Sequence, residues 1–259
     1  MPARSVKKVA IPADDLPRHD ECSRARRFME AACIATAVIL LFIHWVRFFA
    51  APGISWWSLP FVVAGIAAAD FVSGVIHWGA DTWGSETMPL VGRRILRPFR
   101  VHHVNPGDFL RRRFVDTNGD VAAIVILFLA GMFWIPAGSL GASTSALLLG
   151  FCTVGLFTNQ IHQWAHMRVP PRLVRLMQSC RMILSSACHE RHHCPPHVTD
   201  YCIATGWCNG LLNRLEFFRR LERFVTWMTG IAPREDEVRF HLATPRTQGP
   251  PQRGTITCD

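Results

Sequence analysis

The 259-residue sequence reads as an all-α membrane protein with about four transmembrane helices and a cytoplasmic, histidine-rich helical cap. Three observations carry this reading. No Asp, Glu, Lys or Arg stands between Asp120 and Arg168, a stretch long enough for two bilayer crossings of ~20 residues each. Hydrophobic residues make up 49% of the chain and charged residues 18%, with a mean hydropathy of +0.17, outside the usual soluble balance. The cations, which give a formal net charge of +9, alternate with the apolar runs instead of mixing into them.

In chain order, residues 1–28 form a basic cytoplasmic tail carrying Lys7, Lys8, Arg24, Arg26 and Arg27, with no signal-peptide pattern. Residues 29–243 are the membrane domain. Its first span runs from Ala31 to Trp45 and its second from Trp56 to roughly Ala80; between them APGIS, with Pro52-Gly53, breaks the helix. Arg93, Arg94, Arg97, Arg100 and Arg111 to Arg113 follow. The third and fourth spans divide the charge-free stretch, turning at Ile135–Gly141, and Arg168, Arg172 and Arg175 come next. Basic residues mark the cytoplasmic side, so both termini are expected there, at a bacterial inner membrane or a eukaryotic endoplasmic reticulum. Residues 244–259, rich in Pro, Gly and Thr, read as a disordered tail. Nucleic-acid binding would need cations gathered on one folded face, and this pattern excludes it. The nine cysteines are odd in number and scattered, which does not argue for a disulfide framework.

Nine of the twelve histidines fall near the cytoplasmic ends of the expected helices. In ADFVSGVIHWGADTWG (69–84), Asp70, His77 and Asp81 share one helical stripe. A carboxylate within a membrane helix marks a functional site by default. FRVHHVNPGDF (99–109) holds the doublet His102-His103. In NQIHQWAH (159–166), His162 and His166 stand at i and i+4, a spacing that can chelate one ion. In ACHERHHCPPHVTDYC (187–202), a helix reaching Pro195 puts His189, His192 and His193 on one face, and His197 returns from the loop.

One zinc ion needs about four ligands, too few to use nine imidazoles; two ions sharing eight or nine would use the set. Imidazole suits Zn, Cu, Fe and Ni, so the residues leave the metal open. Cys188 and Cys194 raise a zinc alternative, but each adjoins a histidine, which makes closure on one tetrahedral ion awkward. A histidine-rich dimetal centre at the mouth of a membrane bundle suits O2-dependent oxidation of an apolar chain, which no side chain is a strong enough oxidant to perform. The arginines at 93–100 and 111–113 lie where a lipid phosphate would sit, or serve topology and anionic lipid.

SGVIHWGADTWGS, FRVHHVNP with VDTNGD behind it, TNQIHQWAH, and HERHHCPPH followed by YCIATGWCN resemble the plasmanylethanolamine desaturase family, also called the Kua or lipid desaturase domain family. The resemblance runs from about Ile66 to Asp236. It implies a multi-pass membrane enzyme that holds two non-haem irons and uses O2 and an external electron donor of the cytochrome b5 or ferredoxin type. The expected reaction removes two hydrogens from C1 and C2 of the 1-O-alkyl chain of an ether phosphatidylethanolamine, giving the vinyl ether of a plasmalogen. A plastid branch instead desaturates an acyl chain. Carried over position by position, His77, His102, His103, His162, His166, His189, His192, His193 and His197 are the implied iron ligands. Asp70, Asp81, Asn118 and Asn159 are the implied orienters of those rings. The resemblance names no other catalytic residue.

The segment 209–228 reads as one amphipathic helix with an apolar stripe of Leu211, Leu215, Phe218, Leu221 and Val225, lying on the membrane surface or capping the metal chamber. Two rivals stay open at this level: an acyl-lipid desaturase or hydroxylase with the same centre, and a zinc-dependent membrane hydrolase with Glu190 as its base.

Overall fold

A computed structural model describes residues 16–234 apart from 52, 53, 137, 195 and 196. The Pro52-Gly53 break, the Pro195-Pro196 stop, most of the basic tail and the whole tail 244–259 therefore lie outside the described residues. Among those described, the regular structure is entirely helical. The helices are α1 (Arg24–Ala50), α2 (Ser58–Thr82), α3 (Arg97–Val104), α4 (Pro106–Arg111), α5 (Phe114–Gly131), α6 (Ser139–Ala165), α7 (Arg172–Ser179), α8 (Ser186–His192), α9 (Asn209–Arg214) and α10 (Phe217–Thr229).

Four helices are long and apolar enough to cross a membrane: α1, α2, α6, and α5 extended by a 3-10 turn to Trp134. Large apolar side chains face outward along them, with Phe42 69% and Leu127 72% exposed. An apolar exterior on this scale marks a membrane surface, and the chain is a multi-pass membrane protein. Inside the bundle Ala37, Leu41, Leu129, Leu149, Cys152 and Leu156 form the main core. Where α2 crosses α6, Gly65 rests on the carbonyl of Leu147 and Gly150 on that of Val62, with no room for a Cβ at either. Small residues let membrane helices approach this closely, and the contact lines up the C-terminal ends of α2 and α6.

Each long helix reverses the last, so the start of α1, the end of α2, the start of α5 and the end of α6 meet at one end of the bundle. Ser23 caps α1 there by accepting from the Arg26 amide. Ion pairs then lock the end together: Arg27 to Asp116 at 2.8 Å joins α1 to α5, and Arg94 binds Asp120. The short helices α3, α4 and α7–α10 are all attached at this end by chain order.

Two expectations are corrected. The helix expected over 209–228 is two helices, because Glu216 adopts a left-handed conformation (φ 48°) between α9 and α10. The break shifts the helical phase, so Leu211 (63% exposed) and Leu215 (48%) turn outward while Leu212 and Phe218 are buried. The helix of the HERHH segment ends at His192, short of Pro195, with His193 as its cap. A π-helical turn at Gly92–Leu96 leads into α3 and had no signature in the residue pattern.

Candidate metal centre

At the joined end of the bundle the structure gathers eight of the nine expected imidazoles into two clusters. In the first, His102, His162, His166, His189 and His193 each offer an atom within 4.8 Å of all the others. The Nε2 atoms of His189 and His166 are 2.8 Å apart, those of His162 and His189 2.9 Å, of His193 and His189 3.1 Å, and of His166 and His162 3.3 Å. In the second, His77, His103 and His192 converge with Asp81 within the same limit. Asp81 Oδ2 lies 3.2 Å from Nε2 of both His77 and His103 and 3.6 Å from Nε2 of His192. The clusters adjoin, with the His77 and His162 ring centroids 5.6 Å apart. The ninth ring, His197, packs on His103 at 5.0 Å, beside the second cluster.

This arrangement fits metal ions. A neutral imidazole has one N–H to give, so four mutually close Nε2 atoms cannot all be paired donor to acceptor. His77 Nε2 and His102 Nε2 are buried without a hydrogen bond among the described residues. Two donors at right angles, each about 2.1 Å from one ion, stand about 3.0 Å apart, and the observed separations of 2.8 to 3.3 Å bracket that value. Burial, reinforced by neighbouring imidazoles, holds His102, His103, His189 and His193 well below the ordinary imidazole range. Burial likewise pushes His166 down to about 3 and His192 to about 4. Neutral imidazole is the form that ligates.

Backbone carbonyls orient three of the nine rings. His77 Nδ1 donates to the Tyr201 carbonyl at 3.1 Å and His192 Nδ1 to that of Thr199 at 2.8 Å. With the proton on Nδ1, each Nε2 turns its lone pair into the second cluster. His197 Nδ1 meets the His192 carbonyl at 2.9 Å, and the Tyr201 hydroxyl donates to the His197 carbonyl. The loop from 197 to 202 is therefore wired to the cluster it encloses.

Of the four expected orienters, only Asp81 contacts the rings among the described residues. Asp81 stands among the ring nitrogens instead of behind them. Asp70, fully buried, touches no imidazole: its Oδ1 accepts from the amides of Ala204, Thr205 and Gly206, and its Oδ2 from that of Cys208. It fastens the loop that carries Tyr201. Asn118 donates to the Phe114 carbonyl within its own helix, and Asn159 donates to the Thr117 carbonyl, joining α6 to α5. None of these three shows a hydrogen bond to a ring among the described residues.

Aromatic side chains wall the site. Phe109 lies 5.0 Å from His162 and 5.8 Å from His166, and Phe99 is 5.1 Å from His77. Tyr201 stands 5.0 Å from His192 and is backed by Phe218 of α10 at 4.9 Å, so α10 covers the outer side of the second cluster. Cys188 turns away from both clusters, toward Asp200, Arg191 and Asn209. Burial and the Asp200 carboxylate push its thiol up to about 11. Glu190, the base a zinc hydrolase would need, is exposed and belongs to neither cluster. The arginines at 93–100 are engaged within the protein: Arg93 with Asp20, Arg94 with Asp120, Arg97 with Glu86, and Arg100 with the carbonyls of Trp83 and Gly84.

The sequence contained one signal for Asp81 as a member of the cluster: it follows His77 by four residues, the spacing that brings His162 and His166 together. No side-chain pattern marks the Thr199 and Tyr201 carbonyls.

The lipid desaturase domain model matches residues 66–236. The chain is 40% identical over 223 residues to plasmanylethanolamine desaturase of Myxococcus xanthus, covering 85% of this chain and 79% of that protein. It is 40% identical over 196 residues to plasmanylethanolamine desaturase 1 of Mus musculus, covering 71% and 72%. It is 35% identical over 178 residues to the chloroplastic fatty acid desaturase 4 of Arabidopsis thaliana, covering 66% of this chain and 52% of that one. No solved structure matches the chain.

Proposed function

The chain belongs to the lipid desaturase domain family, and on that premise we propose that it is a plasmanylethanolamine desaturase, forming the vinyl ether bond of plasmalogens in an ether phospholipid. The observation that carries the reading is the pair of adjoining, buried, neutral imidazole clusters at the mouth of an apolar helix bundle. His102, His162, His166, His189 and His193 would hold one iron; His77, His103, His192 and Asp81 would hold the other, with His197 beside them. When bound, the two irons supply the oxidising power, drawn from O2, that an unactivated alkyl chain requires.

The overall change is R–CH2–CH2–O–R′ + O2 + 2 e⁻ + 2 H⁺ → R–CH=CH–O–R′ + 2 H2O. The electrons come from a separate donor, of cytochrome b5 or ferredoxin type. Within the protein, the carbonyls of Thr199 and Tyr201 hold two rings in the tautomer that faces the cluster. Phe99, Phe109 and Tyr201 exclude water from the rings. The outward apolar faces of the bundle let the alkyl chain approach from the lipid while its headgroup stays at the surface. Both termini lie in the cytoplasm on this reading, because the arginines concentrate at the histidine end.

A second reading, desaturation or hydroxylation of an acyl chain, is supported by the similarity to the chloroplastic fatty acid desaturase. One experiment separates them. A host lacking vinyl ether lipids, expressing this chain and fed an alkylglycerol, should accumulate an acid-labile ether lipid two hydrogens lighter than its precursor. Gain of one oxygen, or unsaturation confined to acyl chains, would overturn the proposal.

A further inference from the structure

The proposed reaction constrains where the substrate's headgroup must sit. The reacting carbons adjoin the ether oxygen, and six bonds separate C1 of the alkyl chain from phosphorus. At about 1.25 Å of advance per bond of ordinary length, the phosphate lies within about 8 Å of the reacting carbon. A headgroup site must therefore share a wall with the metal centre.

A cavity of about 400 Å³ meets that condition. Val198 and Thr199 form one side of it, and the Thr199 carbonyl holds the His192 ring. Phe217 and Phe218 supply apolar surface, and Phe218 backs Tyr201. Its charged lining is Glu216, Arg219 and Arg223, none of which has an ion pair or side-chain hydrogen bond among the described residues. Arg219 and Arg223 stand at i and i+4 on α10, a like-charge spacing that weakens a helix unless an anion lies between.

On the reading above, we propose that this cavity is the headgroup site of the substrate and takes a phosphoethanolamine group. The phosphate lies between Arg219 and Arg223, where guanidinium groups make charge-assisted hydrogen bonds to its oxygens. The ammonium meets Glu216, which the left-handed turn between α9 and α10 sets at the cavity's edge. The lining has two positive charges and one negative, the complement of a zwitterion with a neighbouring cation to spare. Exposed Leu211 and Trp227 on these two helices, and Leu215 between them, provide apolar surface for the headgroup layer of the bilayer. A second cavity, near Arg111 and Arg113, is lined by charged residues and His19 alone, and Phe109 stands between His19 and the first cluster, so it fits a lipid less well.

The test uses the full-length enzyme in membranes with 1-O-alkyl lipids bearing phosphoethanolamine, phosphocholine or phosphoglycerol, scored by vinyl ether formed. Wild-type enzyme should prefer the ethanolamine lipid. Glu216→Gln should cut the ethanolamine-to-glycerol ratio of kcat/KM about tenfold, the scale of one hydrogen bond to a charged group. Arg219→Gln with Arg223→Gln should raise KM for all three lipids by about tenfold or more, with metal content at the wild-type level. An unchanged headgroup ratio in Glu216→Gln, or the losses appearing in Arg111→Gln with Arg113→Gln instead, overturns the assignment. Should the variants lose metal, wild-type enzyme still decides: short-chain diacyl phosphatidylethanolamine must inhibit more strongly than the phosphatidylglycerol analogue, and equal inhibition overturns it. Absence of vinyl ether from every lipid with wild-type enzyme is a different result: it sinks the proposed function, and this site with it.

Discussion

His102 and His103 are neighbours on α3, with ring centroids 4.3 Å apart, yet they enter different clusters: His102 joins His162, His166, His189 and His193, while His103 joins His77, His192 and Asp81. His192 and His193 repeat the division. Successive side chains on a helix diverge by about 100°, so a doublet at the boundary between two sites can serve both. The two doublets bind the clusters into one unit, and damage at one is expected to be felt at the other.

Loss of a single ring should empty one site before its neighbour. His102→Ala or His103→Ala is expected to lower bound iron from about two per chain toward about one, since each site loses one of its few donors. His166→Ala and His192→Ala should abolish product while insertion into the membrane is retained. Iron analysis of purified protein and lipid mass spectrometry check this; near-normal turnover in His166→Ala or His192→Ala would defeat the ligand assignment.

Asp81→Asn tests whether the carboxylate belongs to the second cluster. It keeps the shape and removes the charge beside three imidazoles, so iron affinity at that site should fall about 10–100-fold or more, the range seen for partners one step further from a metal. Titration with Fe(II) under anaerobic conditions measures it. Two equal, undiminished binding steps would return Asp81 to a purely structural role.

Asp70→Asn separates loop anchoring from ligation. The amide group can accept at one oxygen only, so part of the four-amide set from Ala204 to Cys208 is left unsatisfied, at about 1–3 kcal/mol for each buried group. The melting temperature in detergent should drop by several degrees, at roughly 2–4 °C per kcal/mol for a chain of this size. A variant that melts like wild type would show that the loop is held by other contacts.

Metal removal should expose the cost of burying neutral imidazoles. His166 and His192, held by burial to about 3 and about 4, sit below the ordinary imidazole value of 6.5. A depressed value means the unfolded chain binds more protons, so the stripped protein has its full stability above about pH 6.5 and loses it as pH falls toward those values. Thermal melts of chelator-treated protein between pH 7.5 and 5 read the slope, expected to be at least as steep when metal is restored, because ligating imidazoles stay unprotonated. A flat profile for stripped protein contradicts the burial argument.

Much was legible in the residues because it is local. The charge-free stretch after Asp120 gives two spans by length alone, and the i, i+4 spacing of His162 and His166 puts both rings in one cluster without reference to the rest of the chain. The four histidine segments were identifiable, since each ends or follows a span on the same side. What the residues left open depends on distant contacts. Asp70 is fixed by amides 134 and more positions downstream, and no helical stripe reports that. Which member of each doublet faces which cluster depends on how α3 and α8 are packed against α2 and α6. The break at Glu216 overrides an apolar stripe that continues through it, because Phe218 finds Trp78 and Tyr201 to pack on only after the helix changes phase. Sequence thus determined which groups could meet, through periodicity and hydropathy; tertiary packing decided the pairings, since a ring's orientation is set by the neighbours that enclose it.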